Sequence, residues 1–488
     1  MAKMHITDFV IYRWRYVVGY ALIGVLLITS LYFATMAMPG GLSQDEMNST
    51  VISASIDFQN LASVAVIDLP YHLLQRLSID LLGVSVLGVK LPSLFIGLLT
   101  AVGLMLLLRQ WFRYNVAVLA AVIAISTSQF LFIAQNGTPI VMYLFWSVWL
   151  LLSATMIARR TRPVLLWRIL FFALTALSLY TPLSVYILIA ITTAVILHPH
   201  LRYLFWRIPT ADIAVSSLLA SLLLIPLGYT IATNPDSALS LLGFTNIQPD
   251  LLDGAKNIFT QLFDFAGSKV ADSGMILPLF SLGSMLLIGL GVFSMIRARH
   301  SVKTYLIVIW TIMLIPAITS EPSYIIIAFV PMVLLLASGL SYLFNYWYGL
   351  FPKNPYARIA GLLPLVVLVG GLVLSGLDRY SYSYTYAGAA VTKFTDDISL
   401  LHEAVKNNDT STVVVVIPDE LAFYKAATDR MRDNVTTVSA QPDLSNNQII
   451  VSGLVDNAIP EGKELDRILT SPKKAESDRF YVYKNPRT

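Results

Sequence analysis

The sequence contains no cysteine, which rules out a disulfide framework, a thiol nucleophile and a thiolate metal site. Charge is scarce at 13% of 488 residues. Histidine is also rare, and the pair His198 and His200 in "HPH" has no third ligand nearby, so it makes a poor metal site. There is no glycine-rich phosphate loop, nucleophile elbow, zinc signature or basic face, and with them go nucleotide-loop enzymes, serine hydrolases and nucleic-acid binders. What fills the chain is apolar: 56% hydrophobic residues and a mean hydropathy of +0.69, the composition of an integral membrane protein.

The apolar runs have the length of helices crossing about 30 Å of hydrocarbon, and the alternation of a barrel is absent. About eleven crossings are predicted: Val17–Met38, Val86–Leu108, Val116–Ala134, Val141–Ala158, Ile169–Tyr180, Leu183–Leu197, Ala211–Ala232, Gly274–Ile296, Tyr305–Ile318, Tyr324–Phe344 and Ile359–Leu377. The basic start "MAKMHITDFVIYRWRY" precedes a first run long enough to be an uncleaved anchor, a signal peptide being the alternative. With the N-terminus cytoplasmic, 16 Lys and Arg fall in inner loops, and only Arg76, Lys90, Lys256 and Lys269 fall outside before Leu377. That asymmetry is the positive-inside signature, and it orients the C-terminus outward in a plasma or inner membrane. The net charge of +4 is therefore a matter of topology rather than of an anionic partner.

Two outer loops, 39–85 and 233–273, and the tail are too long to be turns, so function is expected on the outer face. The expected division is a membrane domain over 1–378 and an extracytoplasmic α/β domain over 379–488. In the first loop, "YHLLQRLSIDLL" has helical spacing and reads as an amphipathic lid lying on the membrane surface. In the tail, "STVVVVIPDE", "VTTVSA", "QIIVSG" and "RFYVY" read as strands. "LAFYKAATDRM" and the region around "EGKELDRILT" read as helices. Binding or capping suits this domain better than catalysis.

Among candidate chemical groups, Asp45 and Glu46 in "GGLSQDEMNST" come first. Two adjacent carboxylates at a membrane rim are costly, and one of them is a natural proton acceptor. The plainer reading of the same residues is a capping box, with Ser43 as N-cap and Glu46 three residues on. The outer bases His72, Arg76, Lys90, Lys256 and Lys269 are candidates to hold an anionic phosphate. Asp57, Asp68, Asp80, Asp264 and Glu321 are the other acids on that face. A divalent cation shared by Asp45 and Glu46 is left open, and no other cofactor is called for.

The order of these features carries a resemblance. A first span, "GGLSQDE", "DLPYHLL", "LGVSVLGVKLPSLFIGLLTAVGLMLLLRQWF" and "AVLAAVIAISTSQFLFIAQNGTPIVMYLFW" resemble GT-C-type glycosyltransferases, among them the protein O-mannosyltransferases and lipid A aminoarabinose transferases. "EPSYIIIAFVPMVLLLASGL" echoes a late span of the group. The resemblance implies a polytopic helical fold and a membrane enzyme of cell-envelope glycosylation. Such an enzyme moves a sugar from a polyprenyl-phosphate donor to a lipid, glycan or protein hydroxyl on the outer face, with inversion. It implies Asp45 as catalytic carboxylate with Glu46 beside it, and Tyr71, Asn136, Glu321 and Tyr324 as acceptor or lid residues. The chain departs from the pattern around Gln135, Asn136 and Ile140 and again near Glu321. A transporter or lipid flippase and a non-catalytic scaffold of the same fold are the competing classes.

Overall fold

The computed structural model describes residues 24–485, apart from position 26 and positions 58–65, 245–250, 266–268, 272–273, 299–300, 351–355, 357–359, 361, 389–392, 407–410, 432–434, 440–447, 456–461 and 471–478. The basic N-terminal segment with Lys3, Arg13 and Arg15, and the start of the first expected span, lie outside the described residues.

Helices dominate. After α1 (Leu27–Met36) come α2 (Gln44–Ala54) and α3 (Leu69–Leu82). Next is α4 (Val86–Trp111), whose 26 residues rise about 39 Å, enough to cross hydrocarbon with some tilt. Among the described residues six helices are long and apolar enough to span a membrane, or up to eight if two bent pairs each count once; three shorter apolar helices accompany them. The described helices thus make the chain an integral membrane protein.

The expected span Val116–Ala134 is broken into α5 (Tyr114–Ile125) and α6 (Ser128–Gln135), bent by 64°. The cause is local. Ser126 and Thr127 hydroxyls donate to the carbonyls of Ile123 (3.0 Å) and Ala124 (2.7 Å), and Thr127 Oγ1 then caps α6 by accepting from Phe130 N at 3.2 Å. The break ends α6 at Asn136, beside α2. The core spans α7 (Val141–Ala158), α8 (Val164–Ser178) and α9 (Val185–Leu197) follow, then α10 (Pro199–Trp206), α11 (Thr210–Thr233), α12 (Asp236–Leu242) and α13 (Leu251–Phe263). A two-stranded ribbon, β1 (Lys269–Val270) with β2 (Ile276–Leu277), leads to α14 (Leu282–Arg297), α15 (Val302–Ser320), a 3-10 turn over Pro322–Ala328 and α16 (Phe329–Leu350). The closest helix packing uses glycine: Gly291 of α14 lies against the backbone of Leu335 in α16, where a Cβ would collide. The last long helix, α17 (Leu362–Tyr386), continues past Asp378 to Tyr386.

The tail forms a five-stranded mixed sheet in the order β4-β3-β5-β7-β6 with helices α18 (Asp397–Lys406) and α19 (Leu421–Thr428). Strands β3 (Thr412–Val415), β4 (Val435–Val438), β5 (Gln448–Ser452) and β7 (Arg479–Lys484) match the sequence reading. The segment around "EGKELDRILT" does not: Glu464–Thr470 is strand β6, paired antiparallel to β7, not a helix. Leu465, Ile468 and Leu469 imitate helical spacing, but as an edge strand the segment keeps Leu465 and Ile468 largely exposed and packs Leu469. Pairing with β7 overrides a weak helical propensity.

This domain is not an appendage. One apolar cluster joins Leu42, Met47, Ile79, Val84, Val86 and Val89 of the first loop and α4 to Ile398, Leu401, Val414, Phe423, Tyr424 and Phe480 of the tail. Leu42 and Thr395 exchange two backbone hydrogen bonds of 2.8 Å each, and Asp80 meets both Arg76 (2.7 Å) and Arg430 of the tail (3.2 Å). Gly41 allows the first contact. Its φ is +68° and a Cβ there would run into the Thr395 carbonyl, with Asp396 Oδ1 only 2.8 Å away. Gly41→Ala is therefore expected to unseat the tail from the first loop. The check is limited proteolysis, with faster cleavage between α17 and β3 than in the parent protein; an unchanged cleavage rate would show that the bridge holds nothing.

Candidate functional site

Neighbouring residues on a helix point about 100° apart, so the two acids of α2 meet the buried face at different angles. The buried face of α2 is Glu46, Met47, Ser49, Thr50 and Ser53, and Asp45 lies off it, exposed. Glu46 is 0% exposed. Its Oε2 accepts from Ser43 N at 2.7 Å while Ser43 Oγ accepts from Glu46 N at 3.3 Å, so the capping box forms as read. Such a cap adds about 1 kcal/mol. The other oxygen, Oε1, accepts from Gly137 N at 2.6 Å and faces Lys90 Nζ at 3.5 Å.

Lys90, near the start of α4, is fully buried. Its ammonium donates to Gln135 Oε1 at 2.8 Å, lies 5.5 Å from the Phe394 ring centroid and also feels the carboxylate of Asp396. One buried cation thus gathers Glu46 from the first loop, Gln135 from the end of α6, and Phe394 and Asp396 from the tail. Buried ion pairs hold only when the remaining lone pairs and protons are also satisfied, as the cap and the Gly137 amide do here. Asp45 has no hydrogen-bond or ion-pair partner among the described residues. The doublet divides into a locked carboxylate and a free one.

The polar stripe of α2 continues into a hub that sequence reading missed. Gln75 Oε1 accepts from Ser49 (2.8 Å) and Ser53 (2.6 Å), and its Nε2 donates to the carbonyls of Val89 (3.2 Å) and Gly137 (2.9 Å). All four bonds of one amide are used, and they tie α2, α3, α4 and the turn after α6 together. The available signal was the spacing of Glu46, Ser49, Thr50 and Ser53, a polar i, i+3, i+4, i+7 stripe in a chain poor in polar residues. Helix α3 is accordingly turned with Tyr71, His72, Gln75, Ser78 and Ile79 inward, and it exposes Leu77 and Leu81.

His72 lies inside this hub. The Ser53 hydroxyl is spent on Gln75, so His72 Nδ1, 2.9 Å from Ser53 Oγ, carries the hydrogen and donates it. Burial lowers the His72 pKa from 6.5 to about 4, so the ring is neutral and is not a cation for a phosphate. Above pH 6.5 the ring is neutral in both folded and unfolded chains. Below it the unfolded chain takes a proton that the folded one refuses, so stability falls as the pH drops towards 4. Relative to His72→Gln, which cancels the other titrating groups, the wild type is expected to lose up to about 3 kcal/mol across that window, read from detergent-solubilised melting curves. Parallel curves for the two proteins would show that the ring is not held neutral.

The remaining candidates are dispersed. Arg76 donates to the Ala54 carbonyl and braces Asp80. Tyr71 is buried with its hydroxyl 2.8 Å from Ser93 Oγ. Asn136 ends α6, 4% exposed, its Oδ1 without a donor among the described residues. Glu321 ends α15 and accepts from Ser323 Oγ at 2.8 Å, and Tyr324 follows in the 3-10 turn. Lys256 is exposed on α13, and Lys269 pairs through its backbone with Leu277 in β1, its side chain lying outside the described residues. No group of three or more His, Asp or Glu gathers to hold a metal among the described residues.

Residues 70–238, about a third of the chain, match the sequence model of the family "Dolichyl-phosphate-mannose-protein mannosyltransferase". The match takes in Tyr71, His72, Arg76, Lys90 and Asn136 and begins after the acidic doublet. No curated protein sequence matches the chain. Among solved structures, ArnT from Cupriavidus metallidurans bound to undecaprenyl phosphate superposes with a TM-score of 0.54 at 12% identity, covering 96% of this chain and 98% of that one. The chain has the GT-C glycosyltransferase fold. The apo form of the same ArnT gives a TM-score of 0.53 at 12% identity and the same coverage. The oligosaccharyltransferase AglB from Archaeoglobus fulgidus, in complex with an inhibitory peptide and a dolichol-phosphate, also gives 0.53 at 12% identity, over 91% of this chain and 70% of that one. In this GT-C chain, as in the full-length ArnT match, likeness runs through the spans into the tail sheet, and the acidic doublet stands at the junction of the two.

Proposed function

We propose that the protein is a membrane glycosyltransferase that moves a hexosyl or pentosyl group from a polyprenyl-phosphate-linked donor to an acceptor hydroxyl on the outer face of the membrane. The observation that carries the reading is the division of the doublet. Glu46 is fixed by two backbone amides and Lys90, and it holds the first turn of α2 so that Asp45 stands exposed and unpartnered beside it. A sugar on a polyprenyl phosphate already has a good leaving group, so catalysis needs a base for the incoming hydroxyl and a positive field for the departing phosphate. Asp45 takes the proton of the acceptor hydroxyl. The freed oxygen bonds to the anomeric carbon as the carbon–oxygen bond to phosphate breaks, and the electron pair leaves with the lipid phosphate, inverting the centre.

The likeness of fold to ArnT bound to undecaprenyl phosphate and to AglB with a dolichol-phosphate supports a lipid-phosphate donor. The N-terminus is cytoplasmic in this reading, α2, α3 and the tail domain are extracytoplasmic, and the exposed leucines of α3 rest in the outer leaflet. The tail acts as a clamp on the first loop. The test is transfer of labelled sugar from polyprenyl phosphate by wild type and Asp45→Asn, with transfer expected to fall steeply in the variant.

A further inference from the structure

A concentration of unmatched positive charge lies at the other end of α4 from Glu46 and Lys90. From Lys90 to Trp111 the helix rises about 32 Å, so its two ends stand at opposite faces of the membrane. The chain has no Asp or Glu between Asp80 and Asp212, nor between Asp272 and Glu321, and the α4–α5, α7–α8 and α14–α15 connections all fall in those stretches. In or beside these connections lie Arg113, Arg159, Arg160 and Lys303, and none of the four has a carboxylate partner among the described residues.

Arg159 donates to the Gln110 carbonyl and, at 3.0 Å, to Gln110 Oε1. Lys303 donates to the Trp111 carbonyl, its ammonium 4.6 Å from the Phe112 ring centroid. Both cations therefore crowd onto the last carbonyls of α4, within electrostatic reach of each other. A helix C-terminus presents about half a negative charge, which does not match two cations, still less four. The end of α7 adds an independent sign. Thr161 N donates to the Met156 carbonyl at 3.1 Å and Arg160 N to that of Ile157 at 3.0 Å, a C-cap pattern whose left-handed position is usually glycine. Arg160 occupies it, at φ 52°. A long cationic side chain is kept where the backbone favours a residue without a Cβ.

Beside the cations the surface is apolar and aromatic. Leu165 and Leu166 in the first turn of α8 are exposed, as is Tyr114 at the start of α5, and Trp111 is tied to α7 by its Nε1–H on Thr155 Oγ1 at 3.0 Å. Cations at a membrane face, flanked by aromatic rings and by bare leucines leading into the bilayer, suit a phosphate that carries acyl chains better than a free ion.

We propose that the ends of α4 and α7 and the start of α15 form a binding site for an anionic phospholipid: Arg113, Arg159, Arg160 and Lys303 contact its phosphodiester, and its acyl chains lie along Leu165 and Leu166. A zwitterionic headgroup brings its own ammonium into the same cluster and gains less. The bound lipid offsets the repulsion between Arg159 and Lys303 and clasps α4, α7 and α15 together at this face. The site is separate from the acidic doublet and does not depend on the donor, acceptor or orientation given under the proposed function.

The test is lipid binding to the full chain in a neutral detergent, read by native mass spectrometry during titration with phosphatidylglycerol, with phosphatidylcholine of the same acyl chains, and with inorganic phosphate. Wild type is expected to bind phosphatidylglycerol about tenfold more tightly than phosphatidylcholine, and inorganic phosphate not at all over the same concentrations. The double variant Arg113→Gln/Arg160→Gly removes two exposed charges without touching the contacts to Gln110 and Trp111, and glycine suits the left-handed position, so the variant folds. It is expected to lose about tenfold or more in affinity for phosphatidylglycerol and to keep that for phosphatidylcholine. Arg113→Gln/Arg160→Asn, also compatible with that backbone, repeats the measurement should the first variant fail to fold. Arg202→Gln/Arg207→Gln, which removes two exposed arginines at α10, controls for bulk surface charge and is expected to change the affinity by less than about threefold. An equal loss in the α10 variant overturns the proposal, as does a double variant at Arg113 and Arg160 that binds phosphatidylglycerol like wild type. Equal affinities of wild type for the two lipids, or equal binding of inorganic phosphate, overturn it as well.

Discussion

Asp45→Asn is expected to lower sugar transfer by roughly 10²–10⁴-fold, the usual share of a positioned general base, while the protein folds and inserts as before. The side chain is exposed and unpartnered, so the fold loses only the interaction of a charge with the α2 N-terminus, about 0.3–1 kcal/mol. The amide keeps the shape of the carboxylate and removes its basicity. The measurement is initial rate with a labelled polyprenyl-phosphate sugar at saturating acceptor, beside a melting curve. A rate within fivefold of wild type at unchanged melting temperature would remove Asp45 from the chemistry, and loss of folding would show that the exposed acid is structural. Restoration of the rate at high pH would point to the hydroxyl's own ionisation replacing the base.

Lys90→Met is expected to cost about 3–5 kcal/mol and to abolish transfer. The Glu46 carboxylate would remain buried with its two amide donors but no counter-charge, and Gln135 Oε1 would lose its donor. Pairing the change with Glu46→Gln removes the uncompensated charge, so the double variant is expected to regain more than half of the lost stability, read as a double-mutant cycle from unfolding in detergent. Transfer is expected to stay low even then, because the Lys90 charge beside α2, and with it its field on a departing phosphate, is gone. Return of transfer together with stability would make Lys90 a positioning residue for α2 alone. A single variant as stable as wild type would mean that the buried pair is not formed in the membrane.

Much of the fold was legible because the bilayer leaves few options: backbone polar groups in hydrocarbon must pair within the segment, so a long apolar run without charge is a helix. Val141–Ala158 is the same helix in sequence and structure. The bend at Ser126 and Thr127 was not legible, since the deciding hydroxyl bonds to Ile123 and Ala124 compete with the helix only when neighbours leave room for a turn. The strand at Glu464–Thr470 was misread because Leu465, Ile468 and Leu469 fit helical spacing, and what decides is the antiparallel pairing with the next strand, β7, which spacing within the segment does not show. For the site, sequence named the doublet and Lys90 separately but could not say that Lys90 pairs with Glu46, nor that Gln75 ties the loops together.

By itself the sequence determined that this protein is a bundle of membrane helices with polar loops and a mixed α/β tail, because hydrophobic periodicity and chain length are local quantities that each segment carries with it. It also determined that an acidic pair opens the helix that follows the first apolar run. Only the tertiary structure decided which acid is free. Helical twist puts adjacent side chains on different faces, and which face is buried depends on Lys90, Gly137 and the tail packing from elsewhere in the chain.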